Sequence, residues 1–178
     1  MKKIDFLATD GLKLNGLLYE SNQKTDKVIL SVHGMSSNCL KNREDIEIYD
    51  PTSGSGSLLI NIGNSVAKYV KDSNKIKYYA QELKQNTYNL TRMNLIMRGI
   101  LPDNIVTRNG DTLEDDWPFF DEKHEYTPLF IDAVVSNPPY SQNWNPQDKE
   151  ADPRYKEYGL APKAKADYAF LLHDLYHL

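Results

Sequence analysis

Apolar and polar residues alternate along this chain with two different periods, and each change of period marks an element. In Ile46-Glu47-Ile48-Tyr49 they alternate singly, as in a strand with one face buried. After Ser57 the apolar residues fall at Leu58, Leu59, Ile62, Val66 and Tyr69, the spacing of one helical face. Between the two lies Asp50-Pro51-Thr52-Ser53-Gly54-Ser55-Gly56-Ser57, so strand, turn and helix start follow one another without a spacer. Gly54 and Gly56 allow a tight bend and close approach of a ligand, while the unpaired N–H groups of the first helical turn face whatever sits there. Such a turn suits a nucleotide-like ligand; an ordinary tight strand-to-helix connection is the alternative.

The same periods recur downstream. Residues 74–82 read as a second strand ending on the carboxylate Glu82, and residues 83–98 as a helix with Leu83, Leu90, Met93 and Met97 as its buried stripe, stopped by Gly99. Residues 104–113 read as a third strand and its exit, and residues 131–136 as a fourth, running into Asn137-Pro138-Pro139-Tyr140. Two prolines remove two backbone donors and fix φ, so that tetrapeptide is a stiff corner. Residues 141–163, interrupted by Pro146, Pro153 and Pro162, are expected to be a long polar loop near the site. Residues 164–178 read as a helix with Tyr168, Leu171, Leu172 and Leu175 on its apolar face. His173 and His177 lie four apart but lack a third ligand, and are assigned to the helix surface.

Strands beginning near Ile46, Lys75, Asn104 and Ile131 are expected to be parallel, which makes the fold α/β: a partial doubly wound, Rossmann-like sheet. In such a sheet Glu82 lies beside the crevice at the carboxyl ends of the strands, where a carboxylate can accept both ribose hydroxyl protons. A short β-rich segment precedes the sheet. In residues 1–44, Asp10-Gly11 punctuates a β-hairpin, and residues 27–32 form an apolar strand leading into His33-Gly34.

Composition narrows the function. The chain has 178 residues, 40% hydrophobic and 26% charged, enough for one ordinary domain with a sizeable core. Its net charge of -4 excludes a globally basic surface that would hold DNA unaided. One cysteine, Cys39, excludes an internal disulfide, and no Cys/His spacing suggests zinc; no metal is expected. The acidic run Glu114-Asp115-Asp116 is read as a solvated loop. With no signal peptide and no bilayer-spanning apolar run, the chain is expected to be cytoplasmic and without a membrane partner.

Taken together and in this order, the Asp50–Ser57 turn and Asn137-Pro138-Pro139-Tyr140 resemble the S-adenosylmethionine motif and the catalytic motif of amino-group DNA methyltransferases. The resemblance is to the modification subunit of type I restriction-modification systems and covers residues 45–178, a methyltransferase domain. It implies S-adenosyl-L-methionine as cofactor, held by Asp50, Pro51, Thr52, Gly54, Ser55, Gly56, Glu82 and Asp111, with Asp111 accepting the adenine amino group of the cofactor. It implies Asn137, Pro138, Pro139 and Tyr140 as catalytic residues that methylate adenine N6 in DNA. It also implies a specificity subunit and a restriction subunit as partners. A helical domain and a Phe-x-Thr-Pro type motif, expected ahead of the glycine-rich turn, are not seen, and the chain ends before the expected fifth strand. The isolated chain is therefore expected to be a poor enzyme.

Other readings remain open. Asn-Pro-Pro-Tyr also serves methyltransferases acting on cytosine N4, RNA or protein glutamine, and the chain could be a non-catalytic fragment. Residues 1–44 resemble the first strands of an α/β-hydrolase, whose His-Gly turn contributes to an oxyanion hole. A working hydrolase would need Gly-x-Ser-x-Gly. Gly34-Met35-Ser36-Ser37-Asn38 ends in Asn instead.

Overall fold

The computed structural model describes residues 2–7, 13–18, 46–68, 70, 72–114, 131–139 and 142–178, the first two stretches as backbone. β1 (Lys2–Leu7) and β2 (Lys13–Leu18) pair antiparallel, with Lys2 opposite Leu18 and Leu7 opposite Lys13, so the expected hairpin forms. Its turn, the strand at 27–32 and His33-Gly34 lie outside the described residues.

The main sheet contains β3 (Ile46–Asp50), β4 (Ile76–Glu82), β5 (Ile105–Asn109) and β6 (Ala133–Val134) in the order β5-β4-β3-β6, every pair parallel. The chain winds outward from β3 through β4 to β5, then returns to the other side of β3. Helices α1 (Ser57–Val66) and α2 (Gln85–Met97) make the first two crossovers, and α3 (Ala166–His177) ends the chain. The reversal falls between β3 and β6, where the carboxyl ends of parallel strands leave a crevice.

Single alternation along β3 and β4 divides the core between two faces. Ile46, Ile48, Ile76, Tyr78 and Ala80 pack on one side with Ala133, Val135, Leu59, Ile60, Val66 and Leu95. Tyr49, Tyr79 and Val134 face the other side with Ile131 and Leu178. Burial of each large aliphatic side chain contributes about 1.5–3 kcal/mol, which makes the first face the larger hydrophobic contribution. α1 also needs Gly63, because a Cβ there would lie 2.9 Å from Cζ of the Tyr78 ring.

Three expectations require correction. The stripe Leu83, Leu90, Met93 and Met97 is exposed, with Leu83 ahead of the helix, and the residues α2 buries are Thr91 and Leu95. α2 turns that way because Thr91 and Asn94 donate to carbonyls of the glycine-rich turn: Thr91 Oγ1 to Gly54 O at 2.6 Å and Asn94 Nδ2 to Ser55 O at 2.8 Å. On α3, Tyr168, Leu171 and Leu175 are exposed, whereas Ala166, Ala169, Phe170, Leu172, His173 and His177 are buried. His173 and His177 are thus interior residues rather than surface ones, because the sheet face they meet presents Tyr49. Their rings stand 5.7 Å from the Tyr49 ring and 4.5 Å from each other.

Residues 142–163 do form irregular backbone, yet they enclose a second core. Trp144, Tyr155 and Ala161 pack with Leu113, Ala166, Ala169, Phe170 and Leu172. The Trp144 amide donates to Lys163 O at 3.0 Å and its indole N–H to Pro162 O at 3.1 Å, closing the loop on itself. Among the described residues no helix is long and apolar enough to cross a membrane, and no group of three or more His, Cys, Asp or Glu side chains could hold a metal ion.

Candidate functional site

Asp50 ends β3, and its carboxylate turns back on the chain: Oδ1 accepts from the Thr52 amide at 2.9 Å and from the Thr52 hydroxyl at 3.5 Å. The side chain is 1% exposed, and burial pushes its pKa up to about 7, with the charges of Asp174 and Glu82 adding to the rise. Asp50 therefore shapes the turn from inside. Gly54 and Gly56 both take left-handed backbone, at φ +56° and +77°, and a Cβ on Gly56 would meet Thr91 Cγ2 at 3.2 Å. Gly56 is also the N-cap of α1 and supplies no side chain to its first turn. The start of the helix is left open to an acceptor from outside the chain.

Glu82, at the end of β4, reaches across to that turn. Its Oε2 accepts from the Gly54 amide and its Oε1 from the Lys84 amide, each at 3.0 Å. Each carboxylate oxygen keeps a second lone pair for a further donor. Asp111 follows β5 in a turn of its own, with Oδ1 accepting from the Leu113 amide at 2.9 Å. Its neighbours fasten it to the other strand ends: the Gly110 amide donates to Glu82 O at 3.1 Å, and the Thr112 hydroxyl donates to Pro51 O at 2.7 Å.

The second motif meets the first through Thr52. The Asn137 amide donates to Thr52 Oγ1 at 3.3 Å, and the Asn137 side chain is exposed. Pro138 is half-buried and Pro139 exposed. Tyr140 lies outside the described residues. One residue earlier, Ser136 Oγ donates to Asp174 Oδ2 at 2.6 Å, while Asp174 Oδ1 is buried without a hydrogen-bond partner. Burial pushes the Asp174 carboxyl up to about 7 as well.

Several residues of this arrangement escaped the sequence. Thr91 and Asn94 hold the carbonyls of the glycine-rich turn, and their i, i+3 spacing on an otherwise weakly apolar helix was the available signal. Arg154 left none. It is 2% exposed; Nε and Nη2 donate to Asp152, the latter at 2.7 Å, and Nη1 to Thr112 O at 2.6 Å. Nη1 also lies 3.2 Å from His173 Nδ1. A guanidinium has no acceptor, so His173 Nδ1 must accept, and the neutral ring then carries its proton on Nε2. Burial, helped by His177 and Arg154, holds the His173 pKa well below its usual value, in keeping with a neutral ring. Nε2 faces the Tyr49 hydroxyl at 2.9 Å, and that hydroxyl donates to Gln81 Oε1 at 3.3 Å.

The parallel sheet, the reversal beside β3 and the two joined motifs define an α/β protein with its site at the carboxyl ends of its strands. Residues 28–178 match the family described as N-6 DNA Methylase, and the chain belongs to that family. That match begins at residue 28, inside the segment that precedes the main sheet. A crystal structure of the type I restriction-modification system methyltransferase subunit from Streptococcus thermophilus is 45% identical, with a TM-score of 0.66, over 77% of this chain and 28% of that one. The type I restriction enzyme MpnII methylase subunit of Mycoplasma pneumoniae is 41% identical over 140 residues, which is 74% of this chain and 25% of the relative. The MjaIX methylase subunit of Methanocaldococcus jannaschii is 31% identical over 173 residues, 93% of this chain and 27% of the relative. The chain thus spans about a quarter of the length of the relatives it matches.

Proposed function

We propose that this chain carries the cofactor and catalytic motifs of a type I modification subunit, which transfers a methyl group from S-adenosyl-L-methionine to adenine N6 in DNA. The observation that carries this reading is the hydrogen bond from the Asn137 amide to Thr52 Oγ1, which joins the Asn-Pro-Pro corner to the glycine-rich turn. Because the chain matches only part of each relative, the activity is proposed for the whole subunit, working in the cytoplasm with DNA and with specificity and restriction subunits. Residues 45–178 form the methyltransferase part.

The residues present fit the cofactor. The start of α1, which has no side-chain cap, would offer N–H groups to its carboxylate, Glu82 would accept from the ribose hydroxyls, and Asp111 would accept from the adenine amine. When bound, S-adenosyl-L-methionine supplies an electrophilic methyl group. The target amine is a weak nucleophile because its lone pair is delocalised into the ring. The Asn137 side-chain oxygen and the Pro138 carbonyl would accept hydrogen bonds from its two N–H groups, drawing the nitrogen toward sp³ geometry and freeing the lone pair. Tyr140 gives an extruded base a flat face to stack on. Positioning and fixed dipoles supply most of the rate.

Labelled cofactor and adenine-containing duplex, with the specificity subunit added, give the direct test. The label should appear on adenine N6. Asn137→Ala should lower transfer by at least about a hundredfold while leaving cofactor affinity within about twofold, because Asn137 contacts the target amine. Equal loss of both would refute the assigned role. Label on cytosine N4, RNA or glutamine would move the reading to another substrate of the same chemistry.

A further inference from the structure

Arg154 is the only Lys or Arg buried among the described residues. A buried guanidinium costs several kcal/mol unless its donors are satisfied, and an apolar residue would fill the same space without that cost. Pairing with Asp152 alone does not explain the burial, since two residues so close in sequence could pair equally well at the surface. Two contacts require an interior position, from Nη1 to Thr112 O at 2.6 Å and to His173 Nδ1 at 3.2 Å, and the first of them reaches the residue next to Asp111.

Thr112 sits between two anchors. Its carbonyl is gripped by Arg154, and its hydroxyl donates to Pro51 O at 2.7 Å inside the first motif. Asp111 directly precedes it, and the backbone of this turn closes on the Asp111 carboxylate through the Leu113 amide. A guanidinium is a rigid planar fork, so fixing its other donors on Asp152 also fixes the direction in which Nη1 points.

We propose that Arg154 is a positioning residue for the nucleobase end of the cofactor site: by holding the Thr112 carbonyl it sets the aim of the Asp111 carboxylate, and with it the selection of a 6-aminopurine over a 6-oxopurine. This rests on the reading of Asp111 given above. Arg154 touches no ligand in this role. It acts through the turn, and its loss is felt as reduced discrimination between two ligands that differ in a single group.

The test is calorimetric binding to the full 178-residue chain of S-adenosylhomocysteine and of its deaminated hypoxanthine analogue. The wild-type chain should prefer the amino compound. Arg154→Met should cut that preference about tenfold, as expected when the half-buried Asp111 carboxylate no longer meets its donor squarely. Arg154→Lys, which keeps one donor for the Thr112 carbonyl without the fork, should fall between them. Leu59→Ala, in the other core cluster, should lower stability and leave the preference unchanged. An unchanged preference in whichever Arg154 variant folds overturns the proposal. A wild-type chain that binds both compounds equally, or neither, overturns the Asp111 reading itself.

Discussion

The two faces of the main sheet are held by different physics. On one, α1 lays Leu59, Ile60 and Val66 against Ile46, Ile48, Ile76 and Tyr78, a contact made of apolar surface. On the other, α3 meets Tyr49 through His173 and His177, and a directed chain of donors runs from Arg154 through His173 and Tyr49 to Gln81. Apolar burial is non-directional and tolerates a small rotation of the helix. A donor chain fails if any member turns. The directional face also ties down the chain after β5 and β6, through Arg154 on the Thr112 carbonyl and Asp174 on the Ser136 hydroxyl. The apolar face holds the larger aliphatic core, while directed bonds come from both sides: Arg154 grips Thr112, and Thr91 and Asn94 of α2 grip the glycine-rich turn.

The largest expected effect comes from breaking the polar face. Arg154→Met strands the Asp152 carboxylate and the Thr112 carbonyl, and should destabilise the chain by about 3–5 kcal/mol in urea unfolding. Double mutants separate the two faces further. With Tyr49→Phe, two steps along the same network, the two effects should depart from additivity by about 0.5–3 kcal/mol; with Leu59→Ala, on the apolar face, they should add within about 0.5 kcal/mol. Additivity in both pairs would show that the donor chain is not a unit.

The faces should also differ in their response to pH. Burial raises the Asp50 and Asp174 carboxyls to about 7 from 3.8, so between those values the folded chain binds protons that the unfolded chain does not. Their contribution to stability is complete below pH 3.8 and is lost as pH rises through about 7, at no more than about 1.4 kcal/mol per pH unit for each group. Asp174→Asn keeps an acceptor for Ser136 and removes one of the two charges. It should therefore be more stable than the wild type at pH 8, with the difference closing toward pH 4. Leu59→Ala should show a deficit independent of pH. A difference between Asp174→Asn and wild type that stays constant across the range would remove the pH contrast between the faces.

A milder loss than that of Arg154→Met is expected from disturbing the close packing on the apolar face. Gly63→Ala places a methyl group against the Tyr78 ring, and moving that ring should cost about 1–3 kcal/mol without altering cofactor affinity. A neutral result would mean that Tyr78 can swing aside freely.

Much of this was legible in the chain. Single alternation in Ile46-Glu47-Ile48-Tyr49 marks β3, and the helical spacing after Ser57 marks α1, because both elements bury apolar side chains against apolar side chains. Gly54 and Gly56 announce the turn because left-handed backbone strongly favours glycine. The parallel order, and with it the meeting of Glu82 with the glycine-rich turn, follows from alternating strands and helices.

The inner faces of α2 and α3 were not legible. Apolar periodicity points to Leu83, Leu90, Met93 and Met97 on one helix and to Tyr168, Leu171 and Leu175 on the other, yet these residues are exposed. Both helices are oriented by hydrogen bonds to partners far away in sequence: Thr91 and Asn94 to the glycine-rich turn, His173 to Tyr49. The order of the elements, the bend at the glycine-rich turn and the stiff corner after β6 are written locally in the chain, because local sterics and hydrophobic period act over a few residues. Which side of α3 faces inward, and that Arg154 reaches Thr112, emerged only once the folded chain brought distant partners together. Directed hydrogen bonds depend on where remote groups lie, and no local pattern encodes that.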